Sequence, residues 1–306
     1  MPAPSTTYVN KLLTNVSVAY KNESLIADQL FPTVYVDKIT GLYFVADKEA
    51  LRVPSDAKRA EFGRANRVTN TLTTASYTLD EKSLETPISD IVMMNYDDPF
   101  QPKKTATELV TGKLMLDKEK DLYNTIIAAA SGSNTIDASN GWSTISTDIV
   151  GQIRTGRNQI QKTTGRKANT VVISKLSLDS LMKNTAFLDS IKYAGSVNEG
   201  ALRNAIAAYF DVERVLIGDS IENTAKEGQT DSMNYIWSDI CVLAYVAPSA
   251  ALETPTAGYT LTLKNARFVD EWYEQERKTT FVRANDFYDS KIIDSNALYV
   301  ITNTTT

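Results

Sequence analysis

The chain has 306 residues, 42% of them hydrophobic and 23% charged, which is enough apolar material to bury a sizeable core in one large domain or two. Its net charge of −5 gives no support to a charge-driven grip on nucleic acid, and the complete absence of histidine removes Ser-His-Asp and Cys-His catalysis and nearly all zinc chemistry. The single cysteine, Cys241, cannot close an internal disulfide, and no apolar run approaches the ~18 residues needed to cross a bilayer. MPAPSTTYVN at the start lacks the basic-then-apolar order of a secretory signal, so a soluble, intracellularly made, non-enzymatic protein without cofactor or membrane partner is expected.

Residues 1–35 hold a helical patch over Asn10–Tyr20 and a shorter one over Ser24–Leu30. Pro32 disfavours helical backbone at the residue before it, so the second patch ends by Phe31, and Val34, Tyr35 and Val36 continue as an extended run. This stretch has too few apolar side chains for a core of its own. It is expected to be an arm lying over other parts of the molecule.

Residues 36–80 alternate as two strands of a long excursion, VYVDKITGLYFVAD turning at Gly41 and TLTTASYTL returning. Between them KEALRVPSDAKRAEFGRANRV carries Lys48, Arg52, Lys58, Arg59, Arg64 and Arg67 against Asp47, Glu49, Asp56 and Glu61. Two readings stand: a solvated loop tip, or a projecting hairpin whose guanidinium groups bind carboxylates on another molecule.

EKSLETPISDIVMMNYDDPF then connects to the longest helix, expected to begin near Pro102 and run to Ala130, with Gly132 as a left-handed cap. About 30 residues make a rod of roughly 45 Å. From Met115 onward, Met115, Leu116, Leu122, Tyr123, Ile126, Ile127 and Ala130 share one arc, while Asp117, Lys118, Lys120, Asp121 and Asn124 lie outside it. Glu119 projects into the apolar arc, where an unpaired carboxylate is costly. It is read foremost as a side chain reaching out at the edge of the arc, and alternatively as a partner for a neighbour's arginine.

After a polar stretch, SNTIDASNGWSTIST, residues 148–250 alternate helix and strand: a helix capped by Thr147-Asp148, a strand at Thr170–Ile173, helices at Ser177–Phe187 and Ala201–Phe210, a strand at Val215–Gly218, and one or two more between Tyr235 and Val246. Gly218 lacks the further glycines of a phosphate-cradling loop. GYTLTL, FVDEWYE, KTTFVRAND and ALYVIT close the chain as strands expected to return beside the rod.

This order of arm, basic hairpin, rod, inserted α/β module and returning strands resembles the major capsid proteins of tailed bacteriophages, of α+β class with the HK97-like (Hong Kong 97) fold. Its markers are Phe31-Pro32, Tyr43-Phe44, Arg52, Asn169-Thr170-Val171-Val172, Val215-Leu216-Ile217-Gly218, Ala225-Lys226-Glu227-Gly228-Gln229, Trp237, Tyr245-Val246-Ala247-Pro248 and Thr256-Ala257-Gly258. The resemblance implies an N-terminal arm at 1–35, an extended E-loop at 36–80, a peripheral domain with the spine helix at 81–135 returning at 252–306, and an axial domain at 136–251. It also implies hexamers and pentamers closing as an icosahedral shell around double-stranded DNA in the virion, assembled in the host cytoplasm with portal, scaffolding and decoration proteins. Pro54-Ser55 stands where relatives are expected to have Pro-Gly, and with no long helical stretch read ahead of the arm the resemblance implies scaffolding either by a separate protein or by a leader already removed.

On this reading Arg52, Lys58, Arg59, Arg64 and Arg67 of the hairpin meet Glu108, Asp117, Asp121 and, on its alternative reading, Glu119 of a neighbouring spine. Covalent joining through Lys48 or Lys58 is not expected, since nothing marks an asparagine partner. Two alternatives remain: a nanocompartment shell of the same fold, and a soluble carboxylate enzyme using Asp219, Glu222, Glu227 and Asp231.

Overall fold

The computed structural model describes residues 8–20, 22, 24–45, 52–53, 57–59, 61–65, 67, 73–98, 100–130, 132–191, 199–248 and 256–305. Its elements in chain order are β1 (Tyr8–Val9), α1 (Lys11–Ala19), α2 (Ala27–Leu30), β2 (Thr33–Val36), β3 (Thr40–Val45), β4 (Thr73–Thr78), β5 (Asp80–Ser89), α3 (Asp90–Met94) and α4 (Phe100–Ala129). There follow β6 (Thr135–Asp137), α5 (Ile149–Thr164), β7 (Thr170–Ser174), α6 (Lys175–Leu181), α7 (Thr185–Ile191), α8 (Glu199–Phe210) and β8 (Arg214–Gly218). The chain ends with β9 (Ile221–Asn223), β10 (Met233–Tyr235), β11 (Ile240–Ala244), β12 (Gly258–Leu263), β13 (Phe268–Glu274), β14 (Thr279–Ile292) and β15 (Leu298–Thr302).

The rod is α4, 30 residues long. Asp98 starts it by accepting the Phe100 amide at 2.9 Å, and Pro102 fits the first turn, where no donor is needed. Gly132 follows with φ +61, the left-handed backbone expected past the helix end. The two halves of α4 serve different sheets. Ala106, Val110 and Leu114 pack with Leu13 of α1 against Val269, Val282 and Ala284, whereas Leu122 and Ile126 pack against Val172, Val242 and Val300.

Among the described residues the first sheet has the order β1-β13-β14-β12-β2, with β5 on the other edge of β14. Strand β14, 14 residues long, pairs along its first half with β13, along its second with β12, and on its far side with β5. The connector 80–89 is therefore a strand, which the charges and Pro87 of DEKSLETPIS concealed. Both features suit an edge strand, where a missing amide and like-charged side chains are tolerated.

The second sheet has the order β6-β15-β11-β7-β8. Every residue of β7 and β11 is buried, because alternate side chains serve two cores. Val171, Ile173, Cys241 and Leu243 face α5 and α8, while Val172, Val242 and Ala244 face α4 and the arm. Of the four final strands, β12, β13 and β14 do return beside the rod. β15 does not: it enters the second sheet between β11 and β6, where four of its five residues are buried.

Three local departures have plain causes. The segment 135–147, expected as a polar loop, contributes β6 and the fully buried Trp142, whose indole N–H donates to Gln152 at 2.9 Å. The helix expected over Ser177–Phe187 breaks after Leu181, where Asn184 accepts the Ala186 and Phe187 amides and opens α7. Gly41 lies inside β3 and not in a turn. A Cβ there would stand 2.6 Å from the Tyr77 hydroxyl on β4, so the glycine permits a close approach between strands.

Candidate assembly surfaces

Among the described residues the hairpin strands β3 and β4 pair only with each other. Its root is anchored: Tyr43 and Tyr77 are buried with Val34, Val36, Tyr259 and Leu261. Leu42, between these two tyrosines in register, is exposed, and beyond β3 Val53 and Phe62 are 86% and 94% exposed, values that leave essentially the whole side chain in water. Arg52, Lys58, Arg59, Arg64 and Arg67 are all exposed, and the Arg59 Nε donates to the Gly63 carbonyl at 2.7 Å. Lys48 lies outside the described residues.

The acids expected on the wet face of the rod are partly engaged within the chain. Lys82 of β5 reaches both Asp117 (3.3 Å) and Asp121 (2.9 Å), and hydrogen bonding to Asp121 holds its pKa above the ordinary lysine value. Glu108 has a loose contact to Lys104 at 4.0 Å.

Glu119 corrects its assignment. It is fully buried and neither reaches out at an edge nor offers itself to a neighbour. Its carboxylate accepts the Ile26 amide (3.1 and 3.2 Å), the Ala27 amide (2.8 Å) and the Trp237 indole N–H (2.5 Å). Burial raises its pKa above the ordinary glutamate value, and the three donors oppose that shift. Lys118, assigned to the wet side, is also buried. Its ammonium meets Asp28 at 2.6 Å and sits 5.5 Å from the centre of the Tyr288 ring. Together these residues fasten the arm helix α2 to α4, and Trp237, which also meets Tyr123 edge-on at 5.6 Å, joins the second sheet to the same point. The signal available in sequence was the charged pair Lys118-Glu119 beside an apolar arc; the partners, 90 or more residues away, carried none.

A second cluster lies on the first sheet, on the side away from the rod. Because Val282 and Ala284 face the rod, Phe281, Arg283 and Asn285 face the other way. Register aligns Trp272, Phe281 and Pro87 across three strands, and beside them Asp270, Arg283 and Glu85. Trp272 and Phe281 stack at 5.3 Å and 7°, the Arg283 guanidinium lies 4.8 Å over Trp272, and Arg283 and Asn285 both bind Asp270. Ser83, Glu85 and Pro87 of β5 remain exposed on this face. Phe281, Asp270 and Asn285 are buried within this cluster and Trp272 is half-buried under Arg283, so what the face offers to solvent is the β5 edge and part of the indole.

The alternative acid cluster does not converge. Glu222 binds Lys120 and Asp231 binds Asn223, both in ordinary surface pairs, and among the described residues no group of three metal-capable side chains comes together. Cys241 is fully buried, and burial pushes its thiol far up, so it is inert. Among the described residues no helix is long and apolar enough to cross a membrane.

No protein-family model matches the chain. It is similar to the major capsid protein of Burkholderia phage BcepMu, 30% identical over 305 residues and covering 96% of this chain and 95% of that one. It is also similar to the major capsid protein of Pseudomonas phage JBD67, 23% identical over 74% of this chain and 73% of that one. Among solved structures, a phage-related protein from Bordetella bronchiseptica RB50 superposes with a TM-score of 0.76, covering 98% of this chain and 99% of the other at 18% identity. With a 30% identical phage capsid relative covering nearly the whole chain, and a mixed helix and sheet fold that superposes along its whole length on a solved structure, the chain belongs to the phage major capsid proteins, structural shell subunits of HK97-like fold.

Proposed function

We propose that copies of this chain form hexamers and pentamers that close as an icosahedral shell around double-stranded phage DNA. The reading is carried by the hairpin: its root is buried in its own subunit while its tip puts Val53, Phe62 and a set of basic side chains into solvent. A closed ring needs a heterologous contact between unlike surfaces, and a projecting tip is one half of such a contact. The chain's negative net charge suits enclosure of DNA without sequence-specific binding. Portal, scaffolding and decoration proteins complete the proposed partner set, with assembly in the host cytoplasm.

In domain terms, 1–35 is the proposed arm, 36–80 the E-loop, 81–135 with the return strands from 252 the peripheral domain, and 136–251 the axial domain, with β15 contributed to the axial sheet. Arg52, Lys58, Arg59, Arg64 and Arg67 are the proposed contacts on the hairpin side. On the receiving side Glu108, Asp117 and Asp121 stay proposed, and the β5 edge of the first sheet, with Glu81 and Glu85 exposed, joins them. Exposed ion pairs contribute only ~0 to 1 kcal/mol each, so the charges set register and the apolar contacts supply most of the affinity.

Sedimentation velocity with electron microscopy of the purified protein tests this. Closed particles of uniform diameter are expected, alone or with scaffold, and a monomer at every concentration under both conditions would rule the shell out.

A further inference from the structure

We propose that Glu119 is a positioning residue that couples docking of the arm to placement of the module bearing Trp237, so that loosening either one loosens the other. The coupling is a property of the single subunit; only its consequence for assembly rests on the shell reading.

One carboxylate serves two bodies. Its Oε2 accepts the Ala27 amide at 2.8 Å and the Ile26 amide at 3.1 Å, while Oε1 accepts the Trp237 indole at 2.5 Å. These donors lie 92, 93 and 118 residues away in sequence, and the Glu119 side chain itself has no exposed surface. The nearby cation, Lys118, is committed to Asp28 and does not neutralise it. A buried carboxylate is tolerable only when its oxygens are satisfied, and donors on the same group strengthen one another. Withdrawal of Trp237 leaves Oε1 short of its closest partner, which weakens the hold of the whole group on the Ile26 and Ala27 amides. By reciprocity, disturbing the arm weakens the hold on Trp237.

The arm would not simply detach. Leu30 and Phe31 are fully buried and the Lys118–Asp28 pair remains. The coupling therefore acts on local opening of α2. In a shell whose copies occupy unlike surroundings, arm and axial module would shift together and not independently.

Amide exchange on the unassembled full chain, followed by NMR, tests the coupling. Trp237→Phe touches neither arm amide, yet exchange at Ile26 and Ala27 is expected to accelerate about tenfold, the size of one lost charge-assisted hydrogen bond. In a Glu119→Gln background the same substitution should add nothing. Ile126→Val, which trims the same core without a bond to Glu119, should leave both amides as in wild type. In the reverse direction, Leu30→Ala should speed exchange of the Trp237 indole N–H, which keeps the question answerable if Trp237→Phe does not fold. Unchanged arm amides in Trp237→Phe, or equal acceleration with and without Glu119, would overturn the proposal. Particle formation is read separately by microscopy, so coupling without particles would count against the shell reading and not against this one.

Discussion

Glu119 is where local pattern and tertiary structure part company. Its oddness was visible as a carboxylate in an apolar arc, but the solution, three N–H donors from the arm and from Trp237, lies in segments the helix reaches only on folding. The same holds for Lys118, which a helical wheel puts in water and the fold puts against Asp28. Burial makes folded Glu119 hold its proton more tightly than the unfolded chain does. A group with a raised folded-state pKa contributes fully below its unfolded value, and that contribution is lost as pH rises through the folded value. Glu119→Gln does not titrate and lacks the slope. The stability of wild type relative to this variant should therefore fall as pH rises from the ordinary carboxylate range toward neutrality. Urea midpoints of both proteins across roughly pH 4 to 8 would show it, and parallel profiles would refute it.

At the scale of elements, the rod, strands β12 to β14 and the alternating module are legible because each obeys a period of 3.6 or 2. Strands β5 and β6 are not, since an edge strand rich in charge and a three-residue strand lack a local signature, and β15 is legible as a strand but not as a member of the second sheet, a pairing with β11 and β6 that no local pattern encodes. Two substitutions test the packing between elements. Gly258→Ala on β12 would place a Cβ 2.3 Å from the ring of Phe31 and 2.6 Å from the Lys291 carbonyl. Since the backbone carbonyl cannot easily yield, a loss of about 1–3 kcal/mol is expected, with faster proteolysis of the arm. Lys82→Met removes the tie from β5 to Asp117 and Asp121. All three side chains are partly solvated, so the loss should be no more than ~1 kcal/mol and should shrink in high salt. Thermal midpoints at low and high salt check both size and salt dependence.

For the whole molecule, a subunit that leaves Val53 and Phe62 almost entirely in water carries apolar surface that contact with another copy would cover. The paired strands β3 and β4 could be foreseen from their composition, whereas the stacked aromatic pair Trp272–Phe281 could not, because alternation alone does not say which side of β13 and β14 the rod would take. Reversing Arg59, Arg64 and Arg67 to glutamate should leave the thermal midpoint nearly unchanged, since all three are exposed, while abolishing particles seen by microscopy. The most direct measurement mixes isotopically light and heavy copies before assembly, joins amines to carboxylates with a zero-length carbodiimide, and reads the linked peptides by mass spectrometry. The account predicts light-to-heavy links from Lys58 to Glu81 or Glu85. Links from this lysine found only within copies of one isotope would mean that the hairpin folds back on its own subunit, and would contradict it.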